Sequence, residues 1–171
     1  MKQSALAVKY LRPNLILLQR GAAVVELAIV LVLLTLLAAG IFEFSRAFWY
    51  YNALDKATRD PARYLSALTA AEFSNSASLS AAITLAKTMA VNASCGAGMK
   101  LPDGSCALTT ANVEVTCDGS ACSSSSKPDH VTVRIINYSV KIGANLPFVG
   151  VVGDNYGDVS LHPSTSMQYM N

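Results

Sequence analysis

The chain has 171 residues, a length that suits one folded domain together with a membrane anchor. Hydrophobic residues make up 52% of it and charged residues only 14%, so it is more apolar than an ordinary soluble domain. The net charge of +2 is unevenly divided, because residues 1–21 carry four basic side chains and no acidic one. The other residues carry nine basic and eleven acidic side chains without a basic cluster, which argues against nucleic-acid binding.

A long apolar segment follows the basic N-terminus. Residues 27–42 contain no charge and no proline, and residues 22–42 would form about 32 Å of helix, close to the ~30 Å hydrocarbon core of a bilayer. The basic residues precede the segment, so the positive-inside rule places the N-terminus in the cytoplasm and the bulk of the chain outside. Aromatic residues 48–51 follow, where an interfacial belt is expected. The sequence predicts a single-pass membrane protein.

A carboxylate, Glu26, stands at the start of the apolar segment, where a charge is costly and has an assigned partner or role. The segment is longer than the apolar core of a secretory signal peptide, although such a peptide and an uncleaved signal anchor both remain alternatives. A third interpretation is a prepilin-type leader that is cut after Gly21. Ala22 would then carry a free amine that can pair with Glu26 of a neighbouring helix.

The residues beyond the glycine make this third interpretation specific. Residues 20–64 contain R-G-A-A-V-V-E, the apolar run, G-I-F-E-F-S-R-A-F, N-A-L-D-K-A-T-R and A-R-Y. This combination resembles the TadE-like family of pseudopilins from tight-adherence (Flp) pilus systems. Where the family favours E-G before A-R-Y, this chain has Asp60 and Pro61, which predicts a kink or an end of the helix there.

The resemblance implies a role for several residues. Prepilin peptidase would cleave between Gly21 and Ala22, and Glu26 would serve helix packing and pilus assembly. The sharper interpretation of Glu43 and Arg46, at the outer edge of the apolar run, is that they set depth and contact partners. The alternative is a solvated pair.

The implied location is the bacterial inner membrane, with the C-terminal part in the periplasm. Its partners would be the peptidase, other pilins or pseudopilins and the assembly machinery. The sequence leaves open whether the subunit enters the fibre. The alternative function is an uncleaved, membrane-anchored periplasmic binding or adhesion module.

Helical spacing continues past the membrane as a stalk. An amphipathic apolar stripe recurs every three to four residues and comprises Phe44, Phe48, Tyr51, Leu54 and Ala57. A second helix is predicted over residues 76–92, and alternating strands over 113–117, over 131–135 running on towards 142, and from 159 to 169. The predicted fold is α+β, with a small head of one further helix and an antiparallel sheet of three or four strands. The predicted divisions are a leader over 1–21, the membrane helix and stalk over 22–64, and the periplasmic head over 65–171.

Four cysteines lie in the predicted head, at Cys95, Cys106, Cys117 and Cys122. Their spacing lacks the paired C-x-x-C clusters of a zinc site, so no metal is expected and disulfides are. Of three possible pairings, Cys95 with Cys106 and Cys117 with Cys122 is preferred, because each closes a short local loop.

Motifs of enzyme active sites do not occur in the sequence. His130 and His162 are the only histidines, and there is no G-x-S-x-G, H-E-x-x-H or glycine-rich phosphate loop. We therefore expect neither catalysis, nor a cofactor, nor a small-molecule substrate, and an anchored periplasmic hydrolase is the least favoured hypothesis.

Overall fold

A computed structural model describes residues 14–141 and 157–170, with side chains from residue 21 onward. The chain divides into two compact units, one ending at Phe42 and one beginning at Glu43. We call the second the folded unit. This boundary falls inside the predicted membrane helix and stalk. The basic side chains of the predicted leader lie outside the described residues, and so does Ile142, towards which the second predicted strand was extended.

The first helix, α1, covers Asn14–Ser66. Of the predicted kink or end near Asp60, the end is absent, because the helix continues five residues beyond Pro61. A proline inside a helix removes one hydrogen bond and crowds the preceding turn, at a cost of about 3 kcal/mol. Here the ring of Pro61 is fully buried, as are Ala62 and Leu65. Burial of this last turn against the folded unit offsets the cost of the missing donor.

Two further helices follow, α2 over Ala70–Ser74 and α3 over Ser76–Gly96. Thr69 and Glu72 form a capping box at the start of α2. The side chain of Asn75 accepts from the N–H groups of Ala77 and Ser78 and so caps α3. The helix predicted over 76–92 is therefore present and extends four residues further.

The strands are β1 Val113–Cys117, β2 Ser120–Ala121, β3 His130–Ile135, β4 Tyr138–Lys141, β5 Asp158–Leu161 and β6 Ser164–Gln168. A short 3₁₀ turn over Thr110–Asn112 leads into β1. Four strands form one antiparallel sheet in the order β2-β1-β3-β6, and β4 pairs with β5 in a second. The α+β class and the antiparallel sheet are thus confirmed.

Two predicted strand runs are each divided. Asn137 has a φ of 52° and interrupts the run between β3 and β4. Because this left-handed conformation cannot continue a strand, β4 leaves the main sheet. Pro163 separates β5 from β6 in the same way, since it has no N–H to donate to a ladder. Its carbonyl still accepts from the N–H of Ile135. Alternation alone did not reveal either break.

The core lies between the second half of α1, α3 and the main sheet. Its largest fully buried apolar side chains come from α1, the main sheet and the connecting loops: Leu54, Leu65, Met99, Leu108, Val113, Val131, Val133 and Ile135. From α3, Leu79 and three alanines, Ala82, Ala86 and Ala90, are buried. The amphipathic stripe predicted on α1 is only half correct. Leu54 and Ala57 are buried, whereas Phe44, Phe48 and Tyr51 are exposed. Small residues such as Ala47 and Ala53 take their place in the core.

Candidate functional site: the N-terminal helix

The described part of α1, residues 21–66, is long and apolar enough to cross a membrane. Its most apolar window of 18 residues has a mean hydropathy of 2.7, and none of that window is buried. Within residues 14–141 and 157–170 it is the one helix with these properties. A soluble unit would bury such a surface, and this apolar helix has no partner in the part of the chain that the structure describes.

The predicted cleavage residues and the first predicted packing residue lie on this uncovered surface. Gly21, Ala22 and Glu26 are exposed. A side chain placed at Gly21 would meet nothing within 4 Å. The helix itself therefore does not require a glycine here, and the Glu26 carboxylate is accessible to another molecule.

Glu43 and Arg46 lie one turn apart at the start of the folded unit, where the helix places them on one face. The Nη2 atom of Arg46 lies 2.8 Å from Oε2 of Glu43. Glu43 is buried, and Arg46 is 22% exposed. The same Nη2 donates to the carbonyl oxygen of Lys141 at the end of β4, also at 2.8 Å. The pair is thus engaged within the folded unit rather than solvated, and a role in assembly remains a prediction for both residues.

Four aromatic side chains are exposed on the same part of α1. Their exposed fractions are 72% for Phe44, 60% for Phe48, 50% for Trp49 and 42% for Tyr51. We call these four residues the aromatic patch. Phe44, Phe48 and Tyr51 share one helix face, since they are spaced by four and three residues. Trp49 lies beside them on α1. Its ring lies against Gly98, since a Cβ added at Gly98 would be 3.4 Å from the ring.

The four cysteines form two disulfides, Cys95–Cys106 and Cys117–Cys122. These are the pairings that short loop closure favoured. The second spans a two-residue hairpin turn in which Asp118 and Gly119 have φ values of 49° and 81°. Such a turn needs positive φ at both positions, which Asp-Gly supplies. The carboxylate of Asp118 accepts from the N–H groups of Asp129 and His130, and these bonds lower the pKa of Asp118.

The described part of the folded unit contains open grooves. One groove of about 590 Å³ is lined largely by hydroxyl and small side chains from α3 and residues 121–124. His130 and His162 are both exposed, at the start of β3 and between β5 and β6. Among the described residues, no three His, Cys, Asp or Glu side chains come together as metal ligands.

Two structural contacts of α1 were not predicted. The Thr58 hydroxyl lies 2.7 Å from the Thr165 hydroxyl of β6, and Thr58 also donates to the carbonyl of Asp55 at 2.9 Å. Since a hydroxyl has one proton, Thr165 is the donor to Thr58. The other contact is the carbonyl of Lys141 with Arg46. The sequence signal for the contact between Thr58 and Thr165 was the position of Thr58, four residues from both Leu54 and Ala62. This spacing places its hydroxyl on the apolar face of the helix.

Comparison with known proteins identifies one relationship. No curated protein and no solved structure matches the chain. A family model described as TadE-like protein matches residues 21–63, about a quarter of the chain. The resemblance read from residues 20–64 is therefore confirmed, and it suggests involvement in a tight-adherence pilus system. The helical segment from residue 21 to residue 63 is TadE-like.

Proposed function

We propose that this protein is a minor pilin or pseudopilin of a tight-adherence (Flp, type IVb-like) pilus system. It acts in pilus assembly through its N-terminal helix after prepilin peptidase has cut between Gly21 and Ala22. The observation that carries the proposal is the TadE-like match, which begins at Gly21 and ends at Arg63, close to the end of α1. The role is structural rather than catalytic.

The mechanism follows from the exposure of the helix. Every described residue from 21 to 38 is exposed, so this surface is available for packing against other helices. A carboxylate in lipid is costly unless it is paired. After cleavage, the new amine of Ala22 on one subunit neutralises Glu26 on its neighbour. Pairing at this fixed spacing stabilises one axial register between adjacent helices.

Membrane topology follows the same proposal. The basic leader stays in the cytoplasm, α1 crosses the inner membrane and the folded unit lies in the periplasm. An oxidising compartment is compatible with the two disulfides, which are rare in cytosolic proteins. Removal of the basic residues by cleavage lowers the cost of drawing the helix out of the bilayer towards a pilus.

The experiment is intact mass measurement of the protein extracted from membranes of cells that carry the pilus system. The expected result is a mature chain that begins at Ala22. The variant Gly21→Leu should accumulate at full length and lose function, because the peptidase must accommodate the residue at the cut. A wild-type chain that keeps Met1 in assembling cells would overturn the cleavage and favour the uncleaved binding or adhesion module.

A matched control is available in the same helix. Gly40 is also exposed, and a side chain there would also meet nothing within 4 Å. Gly40→Leu makes the same chemical change 19 residues from Gly21 and should leave processing unchanged. If both variants accumulated unprocessed, a general defect of membrane insertion would explain the result instead of a specific cut.

A further inference from the structure

The two charges that end the apolar run in the sequence are absent from the exposed surface of α1. Glu43 and Arg46 are the only charged residues between positions 27 and 52. The Glu43 side chain is 2% exposed, and the Arg46 guanidinium is held between Glu43 and the carbonyl of Lys141. They neutralise each other and face into the folded unit. The outward face of the helix consequently remains uncharged as far as Asn52.

Large aromatic side chains cover this added length of uncharged surface. The aromatic patch occupies the first three turns of the folded unit, and its four members are between 42% and 72% exposed. Trp49 and Tyr51 combine an apolar ring with a polar N–H or O–H group. Such side chains concentrate where a bilayer meets water, because the ring leaves water while the polar group stays hydrated.

Charge returns abruptly after the patch. Lys56, Arg59 and Asp60 are all exposed on the next two turns, and Arg59 pairs with Asp55 at 2.7 Å. A surface in contact with lipid would not tolerate this group of charges, whereas water would. The outward face therefore changes from uncharged to charged between Asn52 and Lys56.

We propose that the aromatic patch lies in the outer phospholipid interface. Residues 22–42 form about 32 Å of helix, which spans the ~30 Å hydrocarbon core. Residues 43–52 add about 15 Å, so the aromatic patch begins where the outer headgroup region begins. The inference rests on the membrane anchorage in the proposed function, but not on cleavage or on a pilus.

A phospholipid interface fits this patch better than a second helix does. Helices that associate within membranes favour small residues, which let the two backbones approach. The patch instead presents four large rings, two of them with polar tips. It also continues directly from the apolar run along the same helix. Both features favour lipid as the occupant.

Trp49 allows a direct test because it is the only tryptophan in the chain. The full chain is reconstituted in phosphatidylcholine vesicles, and association is checked by flotation. Its fluorescence is then measured with lipids brominated near the headgroup end of the acyl chains and, separately, with aqueous iodide. The proposal expects the brominated lipid to remove most of the emission and iodide to remove little.

A matched variant places the probe elsewhere on the folded unit. Leu85 is 48% exposed on α3. It lies about 16 Å along the helix axis from Gly96, which ends α3 two residues before Gly98, the residue that contacts Trp49. In the double variant Trp49→Phe/Leu85→Trp, iodide should quench the emission and brominated lipid should not. Both results together support the proposal.

The contrary outcomes are distinct. A chain that floats with vesicles but whose Trp49 is quenched by iodide and not by lipid overturns this inference alone. Protection of Trp49 from both quenchers that grows with the protein-to-lipid ratio assigns the patch to a second copy and also overturns it. A chain that does not float overturns the membrane anchorage in the proposed function, and this inference with it.

Discussion

The guanidinium of Arg46 donates a 2.8 Å hydrogen bond to the carbonyl oxygen of Lys141, 95 residues further along the chain. The same group forms the ion pair with Glu43. One side chain of α1 thus fixes the end of β4 and neutralises a buried carboxylate. The E-F-S-R motif, which resembles the TadE-like family, therefore forms contacts within this chain. A spacing of three residues places its two charged side chains on one helix face, where they can pair.

Loss of this cation should destabilise the folded unit. Arg46→Leu removes the charge that faces a buried Glu43, and breaking a buried pair in this way costs about 3 kcal/mol. The control is Arg59→Leu, because Arg59 is 62% exposed in its pair with Asp55 and its loss should cost under about 1 kcal/mol. Chemical denaturation of the full chain in detergent micelles, followed by Trp49 fluorescence, measures both. Equal effects of the two variants would contradict a structural role for Arg46.

The disulfide pairing can be read from a single digestion without reduction. Trypsin and a glutamate-specific protease together cut after Lys100, Glu114 and Arg134, which separates Cys95, Cys106 and the remaining two cysteines into three peptides. The pairing in the structure links peptide 88–100 to peptide 101–114 and leaves 115–134 unlinked to either. Either alternative pairing would join all three peptides, so one mass spectrum decides.

Each disulfide should also contribute to stability. In the loop-entropy description, the 11-residue separation of Cys95 and Cys106 corresponds to about 3 kcal/mol, and the 5-residue separation of Cys117 and Cys122 to about 2 kcal/mol. Replacing each pair by alanine should lower the denaturation midpoint in the micelle assay. A pair whose removal leaves the midpoint unchanged would show that its loop is already ordered in the unfolded chain.

Acid should weaken the hairpin through Asp118. Hydrogen bonds from Asp129 N–H and then His130 N–H lower the pKa of this carboxyl below its usual 3.8 in the folded state. The stabilisation is therefore complete above the unfolded pKa and is lost as pH falls through the lower folded pKa. Asp118→Asn keeps a residue that tolerates positive φ but carries no charge. Its midpoint should fall less than that of the wild type between about pH 5 and pH 3. Parallel pH curves for the two proteins would contradict this assignment.

The elements with local signals could be predicted from the sequence. The uncharged run, the helical pattern over 76–92 and the alternation over 113–117 each determine structure within a few residues. Two breaks could not be read in this way. Asn137 adopts a left-handed conformation, and Pro163 follows β5, and neither residue disturbs the alternation of apolar side chains around it.

The faces of α1 depended on packing that has no local signal. Phe44 and Phe48 are more hydrophobic than Ala47 and Ala53, so periodicity assigned the aromatic side chains to the core. The folded unit instead buries the small residues and leaves the rings of Phe44 and Phe48 exposed. The buried Glu43 could not be predicted either, since its burial depends on Arg46 and on a carbonyl 95 residues from Arg46.

Glu26 should be required for assembly but not for insertion or cleavage. Glu26→Ala leaves the apolar run and the residues at the cut unchanged, so a mature chain of normal abundance is expected. It removes the carboxylate that the Ala22 amine of a neighbouring helix would meet. If that pairing contributes about 1.4 kcal/mol to each helix contact, piliation should fall to about one tenth. Counting pili by electron microscopy, alongside intact mass measurement, gives both readouts.

Two further variants separate charge from polarity at this site. Glu26→Gln keeps the size and hydrogen-bonding capacity but not the charge, so it should impair assembly nearly as much as Glu26→Ala. Thr35→Ala removes another exposed polar group of the same helix, whose hydroxyl already donates to the carbonyl of Val32 at 2.8 Å. It should assemble normally, because no neighbour is needed to satisfy it. Wild-type piliation with Glu26→Ala would exclude the proposed amine–carboxylate pairing, while a defect confined to Thr35→Ala would place the assembly contact further along the helix.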